Sequence, residues 1–258
     1  MARGAFTPPP PAPLGLGGIM STALAAFRAA PLPLMGIALV STLPVALLAT
    51  AGDISYGAPG DGTEQALRAL VQLIPVLLLS PISTAATTVV VIDMLHGMPA
   101  SASRGLEPVG ERFWVLAGVL VLTTVGIVAG LLALVIPGVV LLVLWLFAAQ
   151  VCIVERRGVR ASIRRSADLV RGGFWWTLGS FLVISITVGL AAALLAIVLG
   201  GAAAPLSGDP AIAVSGIASL IASTVVQPVA NVGVALIYLE RRMRHGEGRP
   251  APTGALRR

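Results

Sequence analysis

Arg160, Arg164, Arg165 and Arg171 fall at helical spacing within one short segment, with Asp168 among them. A guanidinium stays charged at every physiological pH and presents a fork of N–H donors that fits a phosphate or a carboxylate. This chemistry suits anionic lipid headgroups, or docking of a cytoplasmic protein partner. The plainer alternative is that these arginines only set topology and rest on headgroups, where each basic residue contributes ~1 kcal/mol in either case. Glu155 lies just upstream and can pair with an arginine of the segment, fixing its angle, or stay solvated. Asp168 sits four residues after Arg164 and three before Arg171, a spacing that allows ion pairs on the helix surface.

A second set of polar side chains is uncharged. Gln150, Gln227 and Asn231 lie inside long apolar runs, as does Gln72. Such amides either join helices by hydrogen bonds of about 0.6–2 kcal/mol each or line a substrate path. In the path reading, Pro228 frees a backbone carbonyl beside them. No acidic or basic residue lies deep in an apolar run, which argues against a proton relay or an ion-coupled carrier. One cysteine, Cys152, and two distant histidines, His96 and His245, give neither a disulfide nor a metal cluster. No phosphate-binding loop, dinucleotide fingerprint, serine elbow or zinc spacing occurs in the chain. The expectation is a non-enzymatic protein with no cofactor.

The elements that must carry these residues are membrane helices. Of the 258 residues, 57% are hydrophobic and 11% charged, against about 25% charged in a soluble domain. Six apolar segments approach the roughly 20 residues that cross a bilayer: 32–51, 66–92, 113–135, 138–154, 174–199 and 211–239. Pro75 and Pro81 should kink the second, and the turn Ile136-Pro137-Gly138 should join the third to the fourth. The runs are continuously apolar rather than alternating, which implies helices and not barrel strands.

All 17 basic residues are arginine, and the net charge is +6. Their short clusters between apolar runs fit topology and lipid better than nucleic acid. With both termini cytoplasmic, every arginine but Arg68 falls on the cytoplasmic side. The predicted location is a bacterial inner membrane. Residues 1–17 read as a disordered, proline-rich tail, 18–247 as the membrane domain, and 248–258 as a disordered basic tail.

An internal repeat organises the spans. Ile19–Ala30, Ser101–Arg112 and Val159–Gly173 each lead into a pair of spans, and the last two run into Phe-Trp-x-x-x-Gly. The predicted fold is all-α integral membrane, with six transmembrane helices as three hairpins, each preceded by a short interfacial helix. In the third unit, Val159, Ile163, Val170 and Phe174 lie near one face and should rest on the membrane. Ser80, Ser83, Thr84, Thr87 and Thr88, and the pair Gly126 and Gly130, offer small-residue packing surfaces.

Several of these residues carry a family resemblance. Pro137-Gly138, then Glu155, then Ser162-Ile163-Arg164-Arg165-Ser166-Ala167-Asp168-Leu169-Val170-Arg171-Gly172, then Phe174-Trp175, resembles the membrane domain of some bacterial glycerophosphodiester phosphodiesterases, a domain that also stands alone in uncharacterised membrane proteins. Ile237-Tyr238-Leu239-Glu240-Arg241-Arg242-Met243-Arg244 is similar to that family's closing motif. Ala167 stands where the family has Trp, and Glu240 where it has Asp. The resemblance implies fold and topology. The family's phosphodiesterase chemistry resides in a separate barrel with a His-Arg-Gly motif, whereas His96 and His245 here are each followed by glycine. The functional expectation is a protein that organises or assists other components of its membrane; the alternative is a transporter or lipid-handling protein with a path near Gln150 and Gln227.

Overall fold

The computed structural model describes residues 15–56, 62–201, 208–248 and 250–252. All regular structure among them is helical. A continuous apolar run in a bilayer must satisfy its backbone within itself, and only the helix does so in a single segment. Three short helices, α1 (Leu16–Ala29), α4 (Ala102–Glu111) and α8 (Val159–Arg171), alternate with long ones. The long helices are α2 (Pro31–Tyr56), α3 (Gly62–Leu95), α5 (Phe113–Ala133), α9 (Phe174–Gly200) and α10 (Asp209–Arg244). The remaining span is built from two pieces, α6 (Val135–Leu144) and α7 (Ala148–Val154). Six helical segments are thus long and apolar enough to cross a membrane. Leu47, Leu48, Ile186, Leu194 and Val198 face outward, the surface of a multi-pass membrane protein rather than a water-soluble one.

Proline and glycine mark several boundaries. Pro31 opens α2, where its missing N–H has no helical partner to lose. Gly208 adopts φ +66 immediately before α10, a conformation glycine reaches without a steric penalty. Pro75 and Pro81 both lie inside the single helix α3. The turn between the third and fourth spans is at Leu134, which is extended at φ −161, ψ 139. Ile136-Pro137-Gly138 instead forms the first turn of α6, where proline is tolerated. Gly138 is required there because α5 comes close: a Cβ on Gly138 would stand 2.6 Å from the Leu131 backbone nitrogen. Helix α1 begins at Leu16, inside the segment read as tail; residues 1–14, Arg249 and 253–258 lie outside the described residues, as does Asp61.

The core is unevenly distributed. Val89 to Leu95 of α3, Phe147 to Val154 and Val232 to Leu239 of α10 form a nearly continuous buried block. That block sits at the end of the bundle where the arginines gather. Helix α10 packs most extensively against α9 and α2, and also meets α1 and α3.

Candidate functional site

Glu155 follows α7, and its side chain is 8% exposed. Arg156 next to it adopts φ 52, a left-handed conformation that disfavours a side chain by about 1–2 kcal/mol. The turn brings Glu155 under several donors. Arg157 Nε donates to it at 2.8 Å and Arg165 Nε, from α8, at 3.3 Å. The fully buried Tyr238 of α10 donates its hydroxyl at 3.1 Å, and the Arg242 guanidinium stands 3.9 Å away. Arg165 and Arg242 also converge on Glu247, Arg242 at 3.1 Å. Burial works to raise the Glu247 pKa, but the ion pairs with Arg165 and Arg242 outweigh it and hold the carboxyl below its ordinary value. One lattice therefore ties α7, α8 and the end of α10 together.

Neighbouring charges at this end are also engaged. Arg241 is buried, donates to the Leu169 carbonyl at 2.8 Å and lies against Gly173, where any Cβ would strike its guanidinium. Arg244 pairs with the buried Glu240 at 2.7 Å and lies over the Trp176 ring. Asp93 pairs with Arg104 at 3.7 Å.

Helix α8 does more than rest on a surface. Its buried side chains are Ser162, Ser166, Ala167, Leu169 and Val170, whereas Val159 and Ile163 are only half-buried. The reason lies in the break between α6 and α7 at Trp145 to Phe147. A break inside a span frees backbone groups that must find partners. The Ser166 hydroxyl accepts from the Phe147 N–H at 3.1 Å and donates to the Leu144 carbonyl at 2.8 Å. Gln150, in the orientation its surroundings require, donates its amide to the Leu146 and Phe147 carbonyls at 3.2 and 3.3 Å.

The broken span borders a cavity of 350 Å³, within the roughly 300–1,000 Å³ of small-molecule sites. Trp145 and Gln150 line it from one side, Ser80 and Thr84 of α3 from another, and Gln227 and Asn231 of α10 from a third. Asn231 is committed to packing: it accepts from Thr84 at 3.1 Å and donates to Ser83 at 3.3 Å, and Ser41 of α2 joins Ser83 at 2.9 Å. Gln227 makes no hydrogen bond among the described residues. It also lines a second cavity of 280 Å³ between α2, α3 and α10, and shares Val76 and Ser80 with both. A third, of 450 Å³, adjoins the second through Ala46, Ala49 and Ser219 and reaches Asp53. Gln72 is exposed on α3.

Of the residues singled out from sequence, Glu155 and Arg165 meet in the lattice, and Gln150, Gln227 and Asn231 meet in the central cavity. Arg160, Arg164 and Arg171 are exposed on α8, and Asp168 pairs with Arg171 at 3.4 Å. Tyr238, Arg242, Glu247, Ser166 and Trp145 were not anticipated in these roles. The Tyr-x-Glu-Arg-Arg run at the end of α10 was the available signal for two of them. Cys152 is buried, and no group of three His, Cys, Asp or Glu among the described residues is placed to hold a metal ion. No known protein family, no curated protein and no solved structure matches the chain.

Proposed function

We propose that this chain is a non-enzymatic protein of a bacterial inner membrane that takes an uncharged or amphiphilic molecule between its helices, as a lipid-handling protein or transporter does. The observation that carries this reading is Gln227. An amide in a membrane helix that serves only to join helices should have a partner. Gln227 has none among the described residues and stands on the wall between two cavities. An interrupted span beside the cavity adds support, because broken helices at membrane depth occur where they line a site or are held by protein. The lining of the central cavity combines apolar side chains with hydroxyls and amides and carries no charge, which suits a molecule that is not ionised where it is held. The arginine asymmetry supports cytoplasmic termini, with the lattice at the cytoplasmic end.

The test is native mass spectrometry of protein extracted gently from its own membrane, comparing wild type with Gln227→Leu. A small molecule retained by the wild type and lost from a folded variant supports the reading. Equal retention, or none in either, contradicts it. A second reading, an accessory protein that organises membrane components, draws on the exposed arginines of α8. A protein recovered at fixed stoichiometry in the same spectra supports that one.

A further inference from the structure

A groove of 310 Å³ runs along α8, lined by Arg157, Arg160, Ala161, Arg164, Arg165 and Asp168. Its four guanidiniums are not equivalent. Arg157 and Arg165 also reach Glu155. Arg160 and Arg164 have neither a carboxylate nor a carbonyl partner among the described residues. They stand four residues apart on one helix face, where like charges repel by about 0.2–0.5 kcal/mol. Asp168, four residues beyond Arg164, pairs with Arg171 instead. A positive-inside signal needs charge on one side of the membrane. It does not need four guanidiniums around one hollow, two of them without a counter-charge.

The geometry points to a phosphate-binding site in this groove, with Arg160 and Arg164 as its principal ligands and Arg157 and Arg165 closing it. Guanidinium forks hold phosphate oxygens in pairs, through charge-assisted hydrogen bonds stronger than neutral ones. The chemistry is shared by a lipid headgroup phosphate and a free phosphate ion. Because α8 also holds Glu155 through Arg165 and the broken span through Ser166, an anion here sits against the elements that shape the central cavity. The site is independent of the proposal for that cavity, since none of its lining residues is shared.

The experiment uses the full chain in phosphatidylcholine nanodiscs. Thermal stability is followed while inorganic phosphate is titrated against chloride at equal ionic strength. In parallel, native mass spectrometry measures phosphatidylglycerol retained from mixed phosphatidylcholine and phosphatidylglycerol micelles. Arg160→Gln/Arg164→Gln is compared with Arg28→Gln, which removes an exposed arginine of α1 outside the groove. Each variant is checked for an unchanged elution profile. The double variant is expected to bind at least about tenfold more weakly, the equivalent of one charge-assisted hydrogen bond, while Arg28→Gln matches wild type. A stability gain with phosphate alone assigns a free-phosphate site; phosphatidylglycerol retention without that gain assigns a headgroup site. Equal weakening in both variants would reduce the effect to charge count and overturn the site. So would an unchanged double variant, or a wild type that binds neither probe.

Discussion

At the arginine-rich end, Glu155 accepts from Arg157, Arg165 and Tyr238 amid a block that includes Phe147, Leu169 and Ile237, all fully buried. At the centre of the bundle, Gln227 faces two cavities and has no partner among the described residues. Both regions place polar groups out of water. In the first, around Glu155, the Arg157 and Arg165 guanidiniums and the Tyr238 hydroxyl are all aimed at one carboxylate. In the second, Asn231, Thr84, Ser83 and Ser41 form a short chain of hydrogen bonds, and beside it polarity and space are left open together. A polar network closed on itself fixes geometry, whereas an open amide beside a cavity is poised to bind something else. The comparison sets a rigid joint around Glu155 against an open amide at the centre of the bundle.

The contrast can be broken by removing members of either region. The largest effect is expected for Glu155→Ala. It leaves Arg157, Arg165 and Tyr238 without their shared acceptor, and losing one member of a buried ionic network destabilises by about 3–5 kcal/mol. Thermal unfolding in detergent should show this as the largest fall among the variants described. A fall no larger than that of an exposed substitution would mean the lattice is ornamental.

Asn231→Leu should come next. It removes two interhelical hydrogen bonds, each about 0.6–1.7 kcal/mol in membrane proteins. The same unfolding assay should place it between Glu155→Ala and wild type, and wild-type stability would show that the seam does not hold α3 to α10.

Glu247→Gln should have a smaller effect, because its carboxylate is about one-third exposed and solvent screens such pairs. The effect has a sign in pH. Arg165 and Arg242 hold the folded-state pKa of Glu247 below the unfolded one, so its contribution is present above the unfolded pKa. It is lost as pH falls through the folded value. The stability gap between wild type and Glu247→Gln should therefore close on acidification, and a gap that widens would reverse the assignment. The smallest change in stability, within about 0.5 kcal/mol, is expected for Gln227→Leu, which breaks no hydrogen bond. A loss as large as that of Asn231→Leu would make Gln227 a packing residue after all.

The spans were legible because a run of apolar residues long enough to cross a bilayer has few other fates, and their continuity ruled out strands. The short helices were legible from the segments that repeat before them. The break at Trp145 to Phe147 was not, since Leu144-Trp145-Leu146-Phe147 contains neither glycine nor proline. What holds it is the Ser166 hydroxyl, nineteen residues from Phe147, and a contact of that kind leaves no local mark. The same contact explains why α8 buries serines rather than the face of Val159 and Ile163. Glu155 and Arg165 lie close enough in sequence to suggest a pair, whereas Tyr238 and Glu247 reach the lattice from the far end of the chain. The amides were visible as polar residues in apolar runs. Which of them would be satisfied depended on packing: Asn231 meets Ser83 and Thr84, and Gln227, one helical turn away, meets open space.

The most direct measurement is a cryo-electron microscopy map of the protein in nanodiscs made from its own membrane lipids. Elongated density is expected in the central cavity, in contact with the Gln227 amide and bounded by Trp145 and Gln150. A map with an empty cavity and Gln227 turned onto a neighbouring helix would contradict it.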